Sequence, residues 1–126
     1  MVGKTPRDIQ ERSFQFGVKV VRLANKLPQS IAAKVICQQL VRAGTSVGAN
    51  LEEADSAETK KDFVHKVGIA LKEAKETLYW LRLAEAAPIP GNKEFAEMAQ
   101  EAHELVMILV AIKRKASQSA SRGHTA

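Results

Sequence analysis

Asp62 and His65 stand three residues apart, the one place in the chain where a carboxylate precedes a histidine at a spacing that a helix brings together. In a four-helix bundle that spacing serves di-metal carboxylate chemistry. Such a site takes a glutamate from each of two helices and a Glu-x-x-His from each of the other two, all directed inward. Glu52, Glu53 and His103 are the remaining candidates. The pattern falls short, because its acid is an aspartate and no second carboxylate-x-x-His exists. At about 100° per residue, Asp62 and His65 also lie well away from the face carrying Phe63, Val67 and Ala70. Asp62 reads as a helix cap and His65 as a surface residue, so neither a metal nor a cofactor is expected. Nucleophilic chemistry has no better support. Ser46 and Ser56 have no histidine at a triad-like position, and no nucleophile elbow is present. Cys37, the only cysteine, sits in the apolar run Val35-Ile36-Cys37 and reads as a small buried side chain. The expectation is a protein that is not an enzyme.

Residues suited to meeting a partner are more numerous. Arg12, Lys19, Arg22, Lys26 and Lys34 can form a basic stripe that contacts phosphates, can be a solvated face, or can meet the acidic 52–58 region of a neighbouring subunit. Lys113, Arg114 and Lys115 extend the phosphate-contacting set, or simply favour the negative end of the last helix. Charge is unevenly spread within the net +5. Residues 1–50 hold eight basic against two acidic groups, residues 51–112 hold seven against twelve, and the remainder is purely basic. Tyr79 and Leu83, with Trp80 between them, lie opposite the apolar face of their helix. Such a cluster reads as an oligomer contact in preference to intrachain packing or base stacking. Ser46 and Asn50 lie at the edge of a buried stripe. Ser46 reads as bonding within its own chain; Asn50 either does the same or reaches across subunits.

The elements that position these residues are helical. Pro6, Pro28, Pro88 and Pro90 all fall outside the periodic segments, as a missing N–H and a ring clash require. A first helix is predicted over residues 7–27, with Ile9, Ser13, Phe16, Val20, Leu23 and Leu27 along one seam. A second is predicted from Ser30 to about Ala54, burying Ile36, Leu40, Ala43, Val47, Leu51 and Ala54. Gly44 and Gly48 within it each cost about 1 kcal/mol relative to alanine, which close approach of another helix would offset. Thr59 followed by Asp62 resembles a capping box and opens a third helix that runs to about Ala86. Its buried face is Phe63, Val67, Ala70, Leu71, Ala74, Leu78 and Leu81, with Lys72 and Glu76 paired on the solvated side. Asn92 is the expected cap of a fourth helix ending near Ala116, with Phe95, Met98, Ala102, Leu105, Leu109 and Ile112 as its stripe. Residues 105–112 are apolar all round, which calls for a central position or for cover by another subunit through Val106 and Val110.

The 126 residues suffice for one domain, and 45% hydrophobic with 26% charged is ordinary for a soluble globular protein. Aromatic residues are only 5%, too few for a base-stacking sheet or barrel. The N-terminal residues lack the apolar core of a leader, and no apolar run spans a bilayer, so no membrane contact and a cytoplasmic setting are expected. The reading is an all-α, antiparallel up-down-up-down four-helix bundle over 7–116, with a flexible segment 1–6 and a disordered polar tail 117–126.

The central stretch resembles a known family. Leu40, Arg42, Ser46, Asn50, Glu52 and Glu53, then Lys60, Lys61, Asp62 and Phe63, then Ile69, Ala70, Leu71, Glu73 and Ala74 match its pattern, and the ending Trp80-Leu81-Arg82-Leu83 fits as well. The chain is similar over residues 12–86 to small bacterial four-helix-bundle proteins related to those encoded in intervening sequences of large-subunit rRNA genes. That resemblance implies closed homo-oligomeric rings, often pentamers, in a family mostly without assigned activity. A more distant relative is the accessory protein of diversity-generating retroelements, a basic pentameric bundle that associates with a reverse transcriptase and nucleic acid. The functional expectation is therefore a self-assembling adaptor or scaffold. The alternative is an RNA-binding accessory protein that works through a basic surface of the oligomer.

Overall fold

The computed structural model describes residues 5–87 and 89–125, the side chains of Asn92 and of 120–125 excepted. Four helices follow one another: α1 (Arg7–Lys26), α2 (Ile31–Asp55), α3 (Lys60–Ala86) and α4 (Asn92–Thr125), with no strand among the described residues. Their ends follow from local chemistry. The residue before a proline is driven out of the α region, and Leu27 is accordingly extended (φ −72°, ψ 148°), which stops α1 at Lys26. Ala87 is extended in the same way and ends α3. Thr59 Oγ1 accepts from the Asp62 N–H at 3.0 Å, the expected cap, and Ser30 Oγ caps α2 by accepting from the Ala33 N–H at 3.2 Å.

Three boundaries differ from expectation. The fourth helix starts on Asn92 itself, so the capping position falls to Gly91, whose carbonyl accepts from the Phe95 N–H at 3.0 Å. Its φ of +108° is open to glycine and strained for other residues. At the other end α4 continues to Thr125, through most of the expected tail. Nothing between Ala116 and Gly123 breaks a helix, and Lys60 Nζ donates to Ser119 Oγ from α3; Ala126 lies outside the described residues. Of the expected flexible segment 1–6, residues 1–4 also lie outside them. Thr5 is buried, its N–H donating to Asp55 Oδ1 and its Oγ1 to the Leu51 carbonyl, each at 3.3 Å. The chain is thus tied down from Thr5 onward.

Consecutive helices pack side by side, as short loops require, and form a four-helix bundle. The α3/α4 and α2/α3 contacts are the most extensive, and α1 packs chiefly on α2 and meets α4 lightly. Phe16, Leu40, Leu51, Leu81, Phe95, Leu105 and Leu109 are the largest fully buried side chains. The expected stripes are buried almost residue for residue; Leu78 and Ile112 are half-buried at the rim of the core. The all-apolar run 105–112 is largely absorbed by the chain's own core. Leu105 and Leu109 are fully buried, Val106, Ile108, Val110 and Ile112 pack against the core half-buried, and only Met107 and Ala111 face outward. Among the described residues no helix is long and apolar enough to cross a membrane.

Glycine sets how closely α1 approaches α2. A Cβ on Gly44 would lie 2.8 Å from Val20 Cγ2, and one on Gly48 would lie 3.5 Å from the backbone of Ser13. Among the described residues Ser13 and Thr77, like Thr5, are buried polar side chains. Thr77 Oγ1 donates to the Glu73 carbonyl at 2.7 Å. Ser13 Oγ has no partner among the described residues. An unpaired buried hydroxyl is costly, and alanine favours helix. Ser13→Ala is therefore expected to stabilise the fold by about 1 kcal/mol, measured as an upward shift of the urea midpoint at unchanged slope.

Candidate functional site

The helix register sorts the charges into rows. On α1, Arg12 and Lys26 turn towards α4, which answers with carboxylates at Glu94, Glu97, Glu101 and Glu104. Arg12 makes a two-pronged bond to Glu101, with Nε–Oε2 and Nη2–Oε1 both at 2.7 Å, and reaches Glu104 at 3.1 Å. Lys26 Nζ lies 3.6 Å from Glu94 Oε2. Lys19 and Arg22 line the same α1/α4 groove. This ionic seam stands where α1 and α4 approach each other less closely than the consecutive helices do. The Glu101 hydrogen bond, with Glu104 behind it, holds the Arg12 guanidinium above the ordinary arginine value. Arg12→Ala is expected to cost about 1 kcal/mol, as suits a partly exposed pair in a network. The difference from wild type in urea titrations should shrink in 1 M salt, where screening is strongest.

A second seam joins α2 to α3. Arg42 donates to Glu73 at 3.2 Å and to Glu76, whose carboxylate also accepts from Trp80 Nε1 at 3.1 Å. Lys66 Nζ bonds Glu53 at 2.9 Å, and that hydrogen bond raises the lysine above its ordinary value. Because its folded value is raised, whatever stability Lys66 lends is in place at neutral pH and falls away only as pH climbs through and beyond the ordinary lysine range. The expected Lys72–Glu76 pair does not form, because Glu76 turns to Arg42 across the seam.

The sequence-derived candidates are therefore divided. Arg12 and Lys26 are engaged by carboxylates of their own chain, so the basic stripe of α1 is partly neutralised. Lys34 is exposed on α2, away from that seam. Asn50 Nδ2 donates to the Ser46 carbonyl at 2.8 Å and Ser46 Oγ to the Arg42 carbonyl at 2.6 Å, both within α2. Trp80 is half-buried against the core, Tyr79 packs edge-on against it with ring centroids 5.3 Å apart, and Tyr79 is 57% exposed. Leu83 lies exposed beside them. Val106 and Val110 pack on their own core. At the far end of α4, Arg114 and Lys115 are exposed and Lys113 lies across Gly68 of α3. His65 and His103 are exposed, and among the described residues no group of three His, Cys, Asp or Glu side chains is placed to hold a metal ion.

One surface went unnoticed in the sequence. Phe14, Val18 and Val21 of α1 border a groove of about 540 Å³ whose floor and far wall are Ser13, Gly17, Thr45, Gly48 and Ala49. Phe14 is 61% and Val21 41% exposed. The signal was present: 14, 18 and 21 follow an i, i+4, i+7 spacing, a second apolar stripe beside the core stripe.

The model of the 23S rRNA-intervening sequence protein family matches residues 7–111. The chain belongs to that family. A solved structure from the S23 ribosomal protein family, a protein of unknown function from Bacteroides thetaiotaomicron VPI-5482, is 34% identical. The similarity covers 83% of this chain and 97% of that one, with a TM-score of 0.77. None of the curated proteins matches this chain. The family match spans the ionic seams and the α1/α2 groove alike, and both belong to the part of the chain that the family shares.

Proposed function

We propose that this family member is a non-enzymatic, self-assembling scaffold of the cytoplasm, and that the α1/α2 groove is where a second copy docks. The observation that carries the reading is Phe14, an exposed phenylalanine on an otherwise apolar groove. Leaving such a surface in water is unfavourable, and burying it against another subunit removes that cost. Tyr79 and Leu83, on the outward side of α3, offer a convex apolar surface suited to the complementary half of a head-to-tail contact. A ring follows from such a contact when the rotation closes, and a pentamer is the size that the family resemblance favours. The test is Phe14→Asp, which leaves the core untouched. It should reduce the assembly to a monomer of 13.8 kDa with unchanged helix content. Retention of the wild-type mass would refute this docking surface.

Nucleic-acid binding is a second reading. The α1 stripe supports it poorly, because α4 carboxylates already occupy Arg12 and Lys26. Lys113, Arg114 and Lys115 support it better, since among the described residues none of them is ion-paired.

A further inference from the structure

The carboxylates of the acidic middle of the chain are not spread evenly over its surface. Glu53, Glu73 and Glu76 turn into the α2/α3 seam, where Lys66 and Arg42 meet them. Glu94, Glu101 and Glu104 turn into the α1/α4 seam, where they meet Lys26 and Arg12, and Glu97 lines the same groove. The outward side of the α3/α4 pair is thereby left to cations. Lys60, Lys61 and Lys72 stand exposed on α3; Lys113, Arg114 and Lys115 lie on α4. Lys113 crosses Gly68, which lies between Lys61 and Lys72 on one face of α3, where a Cβ would come within 3.4 Å of its Nζ. Lys60 and Lys115 line a separate depression at the same end of the pair, shared with Pro6 and Ile112. None of the six is ion-paired among the described residues. The acids beside these cations along the chain are Glu58, in the preceding turn, Asp62, which contributes to the field at Lys66, and Glu73 and Glu76, which Arg42 engages.

We propose that this cationic end of the α3/α4 pair binds a nucleic-acid duplex through its phosphates, an inference that rests on the second reading above and moves its site away from α1. Five of the six cations are lysine, a residue that protein–protein interfaces deplete and phosphate backbones attract. Phe63, which lines the depression, is buried, and the small imidazole of His65 is the exposed ring in the row, so a single strand gains little from stacking. From Lys61 to Lys72 the row runs about 16 Å along the helix. At one charge per about 1.7 Å of duplex axis, that length offers several phosphates on the facing side. Contact of this kind is independent of base sequence.

The experiment is fluorescence anisotropy with a labelled RNA duplex of about two helical turns, over a salt series. The wild type should bind at 50 mM salt, with affinity falling on a log–log slope of about −4, as expected for four to five phosphates. The triple variant Lys61→Glu, Lys72→Glu, Arg114→Glu should lose at least tenfold in affinity and about three units of slope. Lys19→Glu, Lys34→Glu, Lys93→Glu, with the same change in net charge, should stay within a few-fold of wild type. The corresponding glutamine triple on α3/α4 should weaken binding in the same direction, and circular dichroism should show each variant folded. Equal losses in the two charge-reversed triples would overturn the site, since net charge alone would then account for binding. Equally tight binding to polyglutamate or to anionic vesicles, with the same sensitivity to the α3/α4 substitutions, would assign the patch to another polyanion and overturn the proposal. No binding by the wild type at 50 mM salt would remove the nucleic-acid reading as a whole, not merely its location.

Discussion

Phe16→Ala is expected to destabilise the bundle by about 3–5 kcal/mol, the largest effect of any single truncation in α1. The Phe16 side chain is 1% exposed and lies in the middle of the helix, with Val20 and Leu23 following it on the same buried face. Removing it loses the transfer energy of the ring and opens a cavity that neighbours fill only in part. The consequence should be local before it is global. Contacts hold α1 mainly to α2 and lightly to α4, so α1 is the helix the rest of the bundle grips least. Set against a typical domain stability of about 5–15 kcal/mol, the loss brings the variant close to its midpoint. Hydrogen exchange should show α1 amides opening first, while α3 and α4 keep their protection. Urea unfolding read by circular dichroism measures the total. A loss below about 1 kcal/mol would mean that α1 is not packed as described.

Gly44→Ala is expected to cost about 2 kcal/mol, against the usual direction of a glycine-to-alanine change within a helix. Helix propensity alone would stabilise by about 1 kcal/mol. The added Cβ, however, meets Val20 Cγ2 at 2.8 Å and Cγ1 at 3.0 Å. Valine is stiff about χ1, so the clash is relieved by moving α1 and not by a rotamer change. Gly48→Ala is the internal control. Its Cβ meets nothing nearer than 3.5 Å, so propensity should prevail and the variant should gain up to about 1 kcal/mol. Opposite signs four residues apart on one helix separate close packing from mere flexibility. The double variant Gly44→Ala, Val20→Ala should lose less than the sum of the two single losses, because the second change removes the obstruction met by the first.

These two glycines show where local pattern was enough. Their spacing within an apolar-periodic helix called for a close neighbour, and α1 is that neighbour. The start of α2 at Ser30, the cap at Thr59 and the core faces of all four helices were equally legible, because each depends on residues within a few positions of one another. Pairings across the bundle were not. Arg12 and Glu101 are separated by 89 positions, and no local rule selects Glu101 over the other acids of the chain. Lys72 and Glu76 have the right spacing for a pair, but spacing ranks partners only within one helix, and Arg42 from α2 wins Glu76. The same limit hid the cationic end of α3/α4. Residues 51–112 are acidic in sum, and only the packing reveals that Glu53, Glu73, Glu76, Glu94, Glu101 and Glu104 are engaged by cations along two seams. Phe14 illustrates a different limit: α1 carries two apolar stripes, one from Ile9 to Leu27 and one at 14, 18 and 21, and periodicity alone does not mark the shorter one as exposed.

The groove beside Phe14 carries the functional account, and solution mass tests it most directly. Light scattering on the purified wild-type chain, from micromolar concentration upward, should return a constant integral multiple of 13.8 kDa, five-fold if the ring is that of the family resemblance. A mass of 13.8 kDa across that range would contradict self-assembly and leave Phe14 without its partner.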